Sequence, residues 1–271
     1  MVTDNTAFRI GRMSVGLQNL WRPMSGDGPL AAYEGQIATR SFIPTGVDTV
    51  NLQANSRTHH RARTNIIDLG VEVPGWYWAR TTTLAEVLVA GITYEASIEY
   101  PKDTFTRITF GGGNSGGSGR SDIMPFVIPK GRKYWLRFFI VGSAAGIVFS
   151  ESTAASRLLV QDQNTDCDSM EYGVTVTNKV MGGTIVNTDP ANTSRQFFPT
   201  AIFGTTTWPT ALLVGNSRQR GFGDTFDANG DIGEFARSIG PEYAYINLGS
   251  SGDSLSQYIA SNTNRTYLKR Y

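Results

Sequence analysis

Histidine, cysteine and charge of one sign are what this chain has least of. The single cysteine, Cys167, excludes an intrachain disulfide and leaves the redox compartment open; its ordinary role is that of a small, partly buried apolar side chain. Twenty-four basic residues stand against 23 acidic ones, a net charge of +1. No overall field therefore draws the protein to nucleic acid or to an anionic membrane, and neither is expected as a partner. Long apolar runs are missing as well, since nothing approaches the ~18 residues that a membrane span requires. Met1 to Leu20 interleaves Asp4, Arg9, Arg12 and Gln18 with its apolar residues, unlike the continuous apolar core of a secretory signal. These absences describe a soluble protein whose compartment and oligomeric state the sequence leaves open.

What is present is ample core material. Of the 271 residues, 40% are hydrophobic and 17% charged, a composition that folds and, at this length, suggests two domains. From about Ser41 to Ile202 the apolar residues follow a period of two, which is strand patterning. Ile67, Leu69, Val71 and Val73 alternate, as do Tyr94, Ala96, Ile98 and Tyr100 against Glu95, Ser97 and Glu99, predicting one face on a core and one in water. Pro101-Lys102-Asp103 reads as a hairpin connection to Thr104–Phe110. Further strands are expected at Ile123–Ile128, Lys133–Val141, Val174–Thr177 and Gly183–Val186. Many short strands without helical patterns between them imply an antiparallel β-sandwich of jelly-roll type.

Several clusters in this region invite functional readings that their context does not support. The run from Gly111 to Gly119 lacks the lysine and the helix start of a phosphate loop, so a mobile connection between strands is expected. His59 and His60, among Arg57, Arg61 and Arg63, point to opposite faces if they lie on a strand and cannot chelate one ion; a solvated basic loop is the plainer reading. Asp162, Asn164, Asp166 and Asp168 alternate like the start of a calcium loop, but Cys167 stands where the turning glycine belongs and Gly173 where the bidentate glutamate belongs. Trp76, Tyr77, Trp78, Tyr134 and Trp135 suit a sugar-stacking platform or, more often in a sandwich, a core.

Near Thr205-Thr206-Thr207-Trp208-Pro209 the pattern changes, dividing the chain into an N-terminal segment (1–40), a β-rich domain (41–206) and a further domain (207–271). Thr210–Val214 reads as a short strand. Asp231–Ile239 reads as a helix, with Ile232, Phe235, Ala236 and Ile239 on one face, Asp231 and Glu234 as a capping pair, and Gly240-Pro241 as the stop. A strand follows at Tyr243–Leu248, and Asp253 can cap another helix carrying Leu255, Tyr258 and Ile259. Strand, helix, strand implies a parallel crossover. Ligands bind beyond the carboxyl ends of such strands, and both ends carry a polar glycine turn, Gly215-Asn216-Ser217 followed by Gly221 and Gly223, and Asn247-Leu248-Gly249-Ser250-Ser251-Gly252-Asp253.

These turns resemble the first two sequence blocks of the SGNH (GDSL-like) hydrolases, in which one strand ends in Gly-Asp-Ser and a second in a turn like Ser-Gly-Asp. The likeness covers about Thr210 to Ile259, with Asn216 standing where the family has aspartate. It implies Ser217 as nucleophile and oxyanion amide, Gly252 as a second oxyanion amide, and Gly215, Asn216 and Gly221 as the supporting turn. It also implies the start of a flavodoxin-like three-layer α/β domain, an acyl-ester substrate, and neither cofactor nor metal. A serine hydroxyl needs a general base, normally a histidine oriented by a carboxylate. No histidine follows Ser217, and the family's Gly-x-Asn-Asp and Asp-x-x-His blocks do not occur after Gly252. Too few residues follow Ser217 for further crossovers of about 30 residues each, so the chain is expected to be part of a longer protein and inactive by itself. The expected function is a serine esterase acting on a polar or carbohydrate-linked acyl ester, such as an acetyl ester, with the β-rich region as an accessory module. The rival is a non-catalytic β-sandwich protein with a binding or structural role on a cell or virion surface.

Overall fold

Alternating apolar residues in short runs broken by glycine and proline produce strands, and the computed structural model is β-rich throughout. It describes residues 31–79, 85–151, 168–189, 195–224 and 226–250, together with Gly252, Ser254 and Ser256. In chain order the first strands are β1 (Tyr33–Gln36), β2 (Ser41–Phe42), β3 (Gly46–Asp48), β4 (Gln53–Arg61), β5 (Ile66–Val73), β6 (Trp76–Ala79), β7 (Ala85–Leu88), β8 (Thr93–Glu99) and β9 (Phe105–Ile108). There follow β10 (Gly119–Arg120), β11 (Met124–Ile128), β12 (Lys133–Val141), β13 (Ile147–Glu151), β14 (Ser169–Gly173), β15 (Arg195–Gln196), β16 (Ala201–Thr206) and β17 (Thr210–Leu213). Two short helices, α1 (Ser217–Arg220) and α2 (Glu234–Ile239), precede β18 (Ala244–Asn247).

Two antiparallel sheets, β1-β16-β5-β10 with β11 on β5, and β14-β4-β12-β8-β9, share one apolar core. Leu69, Val71 and Val73 of β5 join Tyr94, Ala96 and Ile98 of β8 and Leu136 and Phe138 of β12 in that core. The hairpin at Pro101 forms as expected, with Thr104 N–H donating to Pro101 O. Ile67, however, is 56% exposed, while Ile66 is buried. The β5–β11 register shifts between Pro125 and Ile128, and that irregularity interrupts the strict alternation.

The second face of β8 is not in water. Glu99 is buried between Arg57 and Arg137, which reach its carboxylate at 2.7–2.8 Å. The cover is the segment expected to hold strands at Val174–Thr177 and Gly183–Val186. Its carbonyls instead accept from side chains, Lys179 O and Gly183 O from Arg137 and Val180 O from Ser97. Such bonds satisfy the backbone without a ladder. The strand in this part of the chain is β14, which pairs β4. The glycine run is likewise defined: Phe110 and Gly113 bridge, Gly116 bridges Tyr94, and Asp122 accepts from the amides of Gly111 and Gly112.

After β16 the pairing changes sense. β17 and β18 are parallel, with Thr210 opposite Ala244 and Leu213 opposite Asn247, and β18 is also parallel to β2, Ile246 opposite Ser41. Leu213, Ala236 and Tyr245 form a small core of their own. Helix α2 starts three residues later than the sequence suggests. Gly233 (φ 97°) breaks the helical path, the Asp231 carboxylate accepts from the Tyr245 hydroxyl rather than capping, and Phe235 is exposed. The helix expected after Asp253 lies outside the described residues. No helix among the described residues is long and apolar enough to cross a membrane.

Candidate functional site

The carboxyl ends of β17 and β18 lie side by side. Leu248 N–H donates to Leu213 O at 2.8 Å, and Ser250 N–H to Gly215 O at 3.0 Å, so the parallel pairing runs on into both turns. Close approach dictates two glycines here. A Cβ on Gly215 would stand 2.6 Å from the Cβ of Gln219, and one on Gly249 would stand 2.8 Å from the backbone nitrogen of Arg220.

Helix α1 is a single turn made by local capping. Asn216 Oδ1 accepts the Arg218 amide at 3.0 Å, and Gly221, left-handed at φ 96°, returns its amide to Arg218 O. Two side chains then fix α1 against the second turn. Asn247, fully buried, donates from Nδ2 to Gln219 O at 3.0 Å and accepts the Gly249 amide at 2.8 Å. Arg220, also fully buried, donates to Gly249 O at 2.8 Å and to Thr45 Oγ1 at 3.2 Å, which ties the turns to the β-rich region. Neither residue stands out in the sequence. Asn247 carried a weak signal, an Asn-x-Gly turn, whereas an arginine in a glycine-flanked helix signals nothing about what it bonds.

Ser217 opens α1 and is partly exposed; its hydroxyl and amide have no partner among the described residues. Gly252 lies two residues beyond the Ser250–Gly215 bond, exposed, at φ 85°, its amide also without an acceptor among the described residues. The structure thus places Gly215, Asn216, Ser217 and Gly221 on one turn and Gly252 on the turn bonded to it.

The histidines are elsewhere, and they are not in a solvated loop. Both lie on β4, 3% and 0% exposed, because this strand is covered on both faces. His60 is held by Thr39 O at 2.8 Å and the Thr58 hydroxyl at 2.9 Å. His59 Nδ1 sits between Arg40 Nη1 at 2.9 Å and Asp168 Oδ1 at 3.0 Å, and its Nε2 faces Asn229 O at 3.2 Å. Burial lowers their pKa values to about 4 for His59, where Arg40 adds to the effect, and about 3 for His60. Neither ring has a nitrogen left over to act as a base.

Asp168 belongs to this network and not to a calcium loop. Burial opposes its ionisation, but Arg40, at 2.6 Å, and His59 outweigh it and hold the carboxyl far below the usual range. Asp162, Asn164, Asp166 and Cys167 lie outside the described residues, and among the described residues no group of His, Cys, Asp and Glu is placed to hold a metal. A second buried carboxylate, Asp231, takes the Tyr245 hydroxyl at 2.6 Å, with Arg63 at 3.8 Å. Burial raises its pKa to about 6, and Asp227 adds to the shift against the opposing Tyr245 bond and the Arg63 charge. Trp76, Trp78, Tyr134 and Trp135 are buried and Tyr77 half-buried, so these aromatics fill cores and form no open stacking platform.

No model of a known protein family matches the chain, and no curated protein matches it significantly.

Proposed function

We propose that the β17–α1–α2–β18 unit is the opening part of a serine ester hydrolase site of SGNH type, with Ser217 as nucleophile. The observation that carries this reading is the junction of two glycine turns at the carboxyl ends of parallel strands, with a partly exposed serine at the first helical position. Ligand sites in α/β sheets occur at such ends. In this reading Ser217 Oγ attacks the ester carbonyl and gives its proton to a base, while the Ser217 and Gly252 amides take up the negative charge on the carbonyl oxygen. Collapse releases the alcohol, which takes the proton from the base, and water then frees the acyl group from Ser217. Amide donors of this kind are worth roughly 3 kcal/mol each. The substrate is a polar or carbohydrate-linked acyl ester, and the β-rich, jelly-roll-like region is an accessory module that positions it.

Both histidines of the chain are engaged inside the β-rich region, so the base comes from outside these 271 residues. The same observation favours the alternative that the protein is a non-catalytic binding or structural module. Hydrolysis of an activated acetyl ester separates the two. The 271-residue chain is expected to show no Ser217-dependent turnover, and a form supplied with the missing histidine is expected to turn over and to lose that activity on Ser217→Ala. Ser217-independent turnover in that form would place the nucleophile elsewhere. Absence of turnover there would favour the non-catalytic module.

A further inference from the structure

Of the two side chains that join the turn beginning with Ser217 to the turn leading to Gly252, Asn247 bonds the backbone of both. Gln219 O can only accept and Gly249 N–H can only donate, so whatever links them must offer one donor and one acceptor within reach of a single short side chain. Asn247 does so with bonds of 3.0 and 2.8 Å, with no exposure to solvent that would let water compete. Gln219 lies two residues after Ser217, and Gly249 three residues before Gly252. We propose that Asn247 is the positioning residue of this site: its carboxamide sets the spacing between the nucleophile and the Gly252 amide. The proposal rests on the ester-hydrolase reading.

Asparagine is specified here by chemistry as well as size. An ionised aspartate of the same shape keeps the bond from the Gly249 amide but turns a second acceptor toward Gln219 O. Protonation restores the donor. Burial and the Gln219 carbonyl favour the protonated carboxyl, while Arg220, the charged group on the same turn, opposes it; the register neighbours on β17 and β2 are the uncharged Leu213 and Phe42. Arg220 continues to tie α1 to Gly249 O in the variant, so the expected consequence is misplacement of the turns rather than their separation.

The test is Asn247→Asp in the form of the protein that shows Ser217-dependent hydrolysis, with kcat and KM measured relative to wild type at pH 8 and pH 6. Displacements of about 1 Å cost on the order of 100-fold in rate. The expected result is a ~100-fold lower kcat at pH 8 with KM within about twofold, and a variant-to-wild-type ratio that rises about tenfold at pH 6. An unchanged kcat, or a loss that falls on KM, overturns the proposal, as does a loss equal at the two pH values. If circular dichroism shows Asn247→Asp unfolded, Asn247→Ser replaces it: lowered kcat at constant KM supports the role, and wild-type kcat overturns it. Should Ser217→Ala leave turnover intact, the ester-hydrolase reading fails by itself. Hydrogen exchange at the Gly249 amide of the 271-residue chain then decides for Asn247, with faster exchange in Asn247→Ala, which removes the acceptor of that amide, supporting the clamp and unchanged exchange overturning it.

Discussion

Glu99 illustrates how much a single buried charge decides in this protein. Its carboxylate is fully buried and takes Arg57 on one side and Arg137 on the other, and those two guanidinium groups outweigh the burial that would otherwise raise its pKa. Arg137 in turn donates to Lys179 O and Gly183 O, so the carboxylate orients the side chain that fastens the covering segment. Removing one partner of such a cluster leaves uncompensated buried charge, at a cost of about 3–5 kcal/mol. Glu99→Gln is therefore expected to lose about that much stability in urea unfolding. A loss under about 1 kcal/mol, the range of an exposed pair, would show that the cluster contributes little.

At the scale of an element, the candidate site depends on backbone approach. Gly249 lies against the backbone of α1, and an added Cβ would meet both Arg220 N and Asn247 Oδ1 at 2.8 Å. Neither atom is the free end of a flexible chain. Overpacking of this kind costs about 1–3 kcal/mol, and Gly249→Ala is expected to lower stability by that amount. Gly117 supplies the contrast, because a Cβ there would meet nothing closer than 3.9 Å, and its φ lies outside the left-handed region. Gly117→Ala is expected to stay within about 0.5 kcal/mol of wild type. Equal losses from the two substitutions in parallel chemical melts would contradict the close contact of α1 with the second turn.

For the whole molecule, from Ala31 onward one compact unit, three buried titratable groups matter, and two of them, His59 and Asp231, join the β-rich region to the part of the chain that carries the parallel strands. His59 faces the loop between α1 and α2, His60 packs in the main core, and Asp231 joins β18 to Arg63. The histidines, depressed from 6.5 to about 4 and about 3, take up protons on unfolding, so their contribution is complete above pH 6.5 and is lost as pH falls. Asp231, raised from 3.8 to about 6, has the opposite sign: the folded state holds its proton, and stability falls as pH rises from about 4 to 6. Between pH 5 and 6 two protons gained on unfolding are offset by one released. Stability is then expected to change by about 1.4 kcal/mol per pH unit, rising with pH, and Asp231→Asn is expected to steepen this to about twice that value. A variant slope equal to wild type in pH-dependent urea melts would mean that Asp231 is ionised in the fold.

Local pattern determined a good deal of this protein from sequence alone. Period-two alternation marked β8, β11 and β12, Pro101-Lys102-Asp103 marked the hairpin between β8 and β9, and the change of pattern near Trp208 marked where antiparallel pairing gives way to parallel strands. These features depend on residues close together in the chain. The tertiary structure alone decided the rest. It buried the second face of β4 and β8, moving His59, His60 and Glu99 from expected solvent into ion-pair and hydrogen-bond networks with partners such as Asp168, more than 100 residues away. It also drew Asp231 out of a helix cap to Tyr245, and made Asn247 and Arg220 the clamps of the two turns. Polar side chains carry no periodic signature of their partners. Which donor meets which acceptor is fixed only when distant segments pack and exclude the water that would otherwise satisfy them.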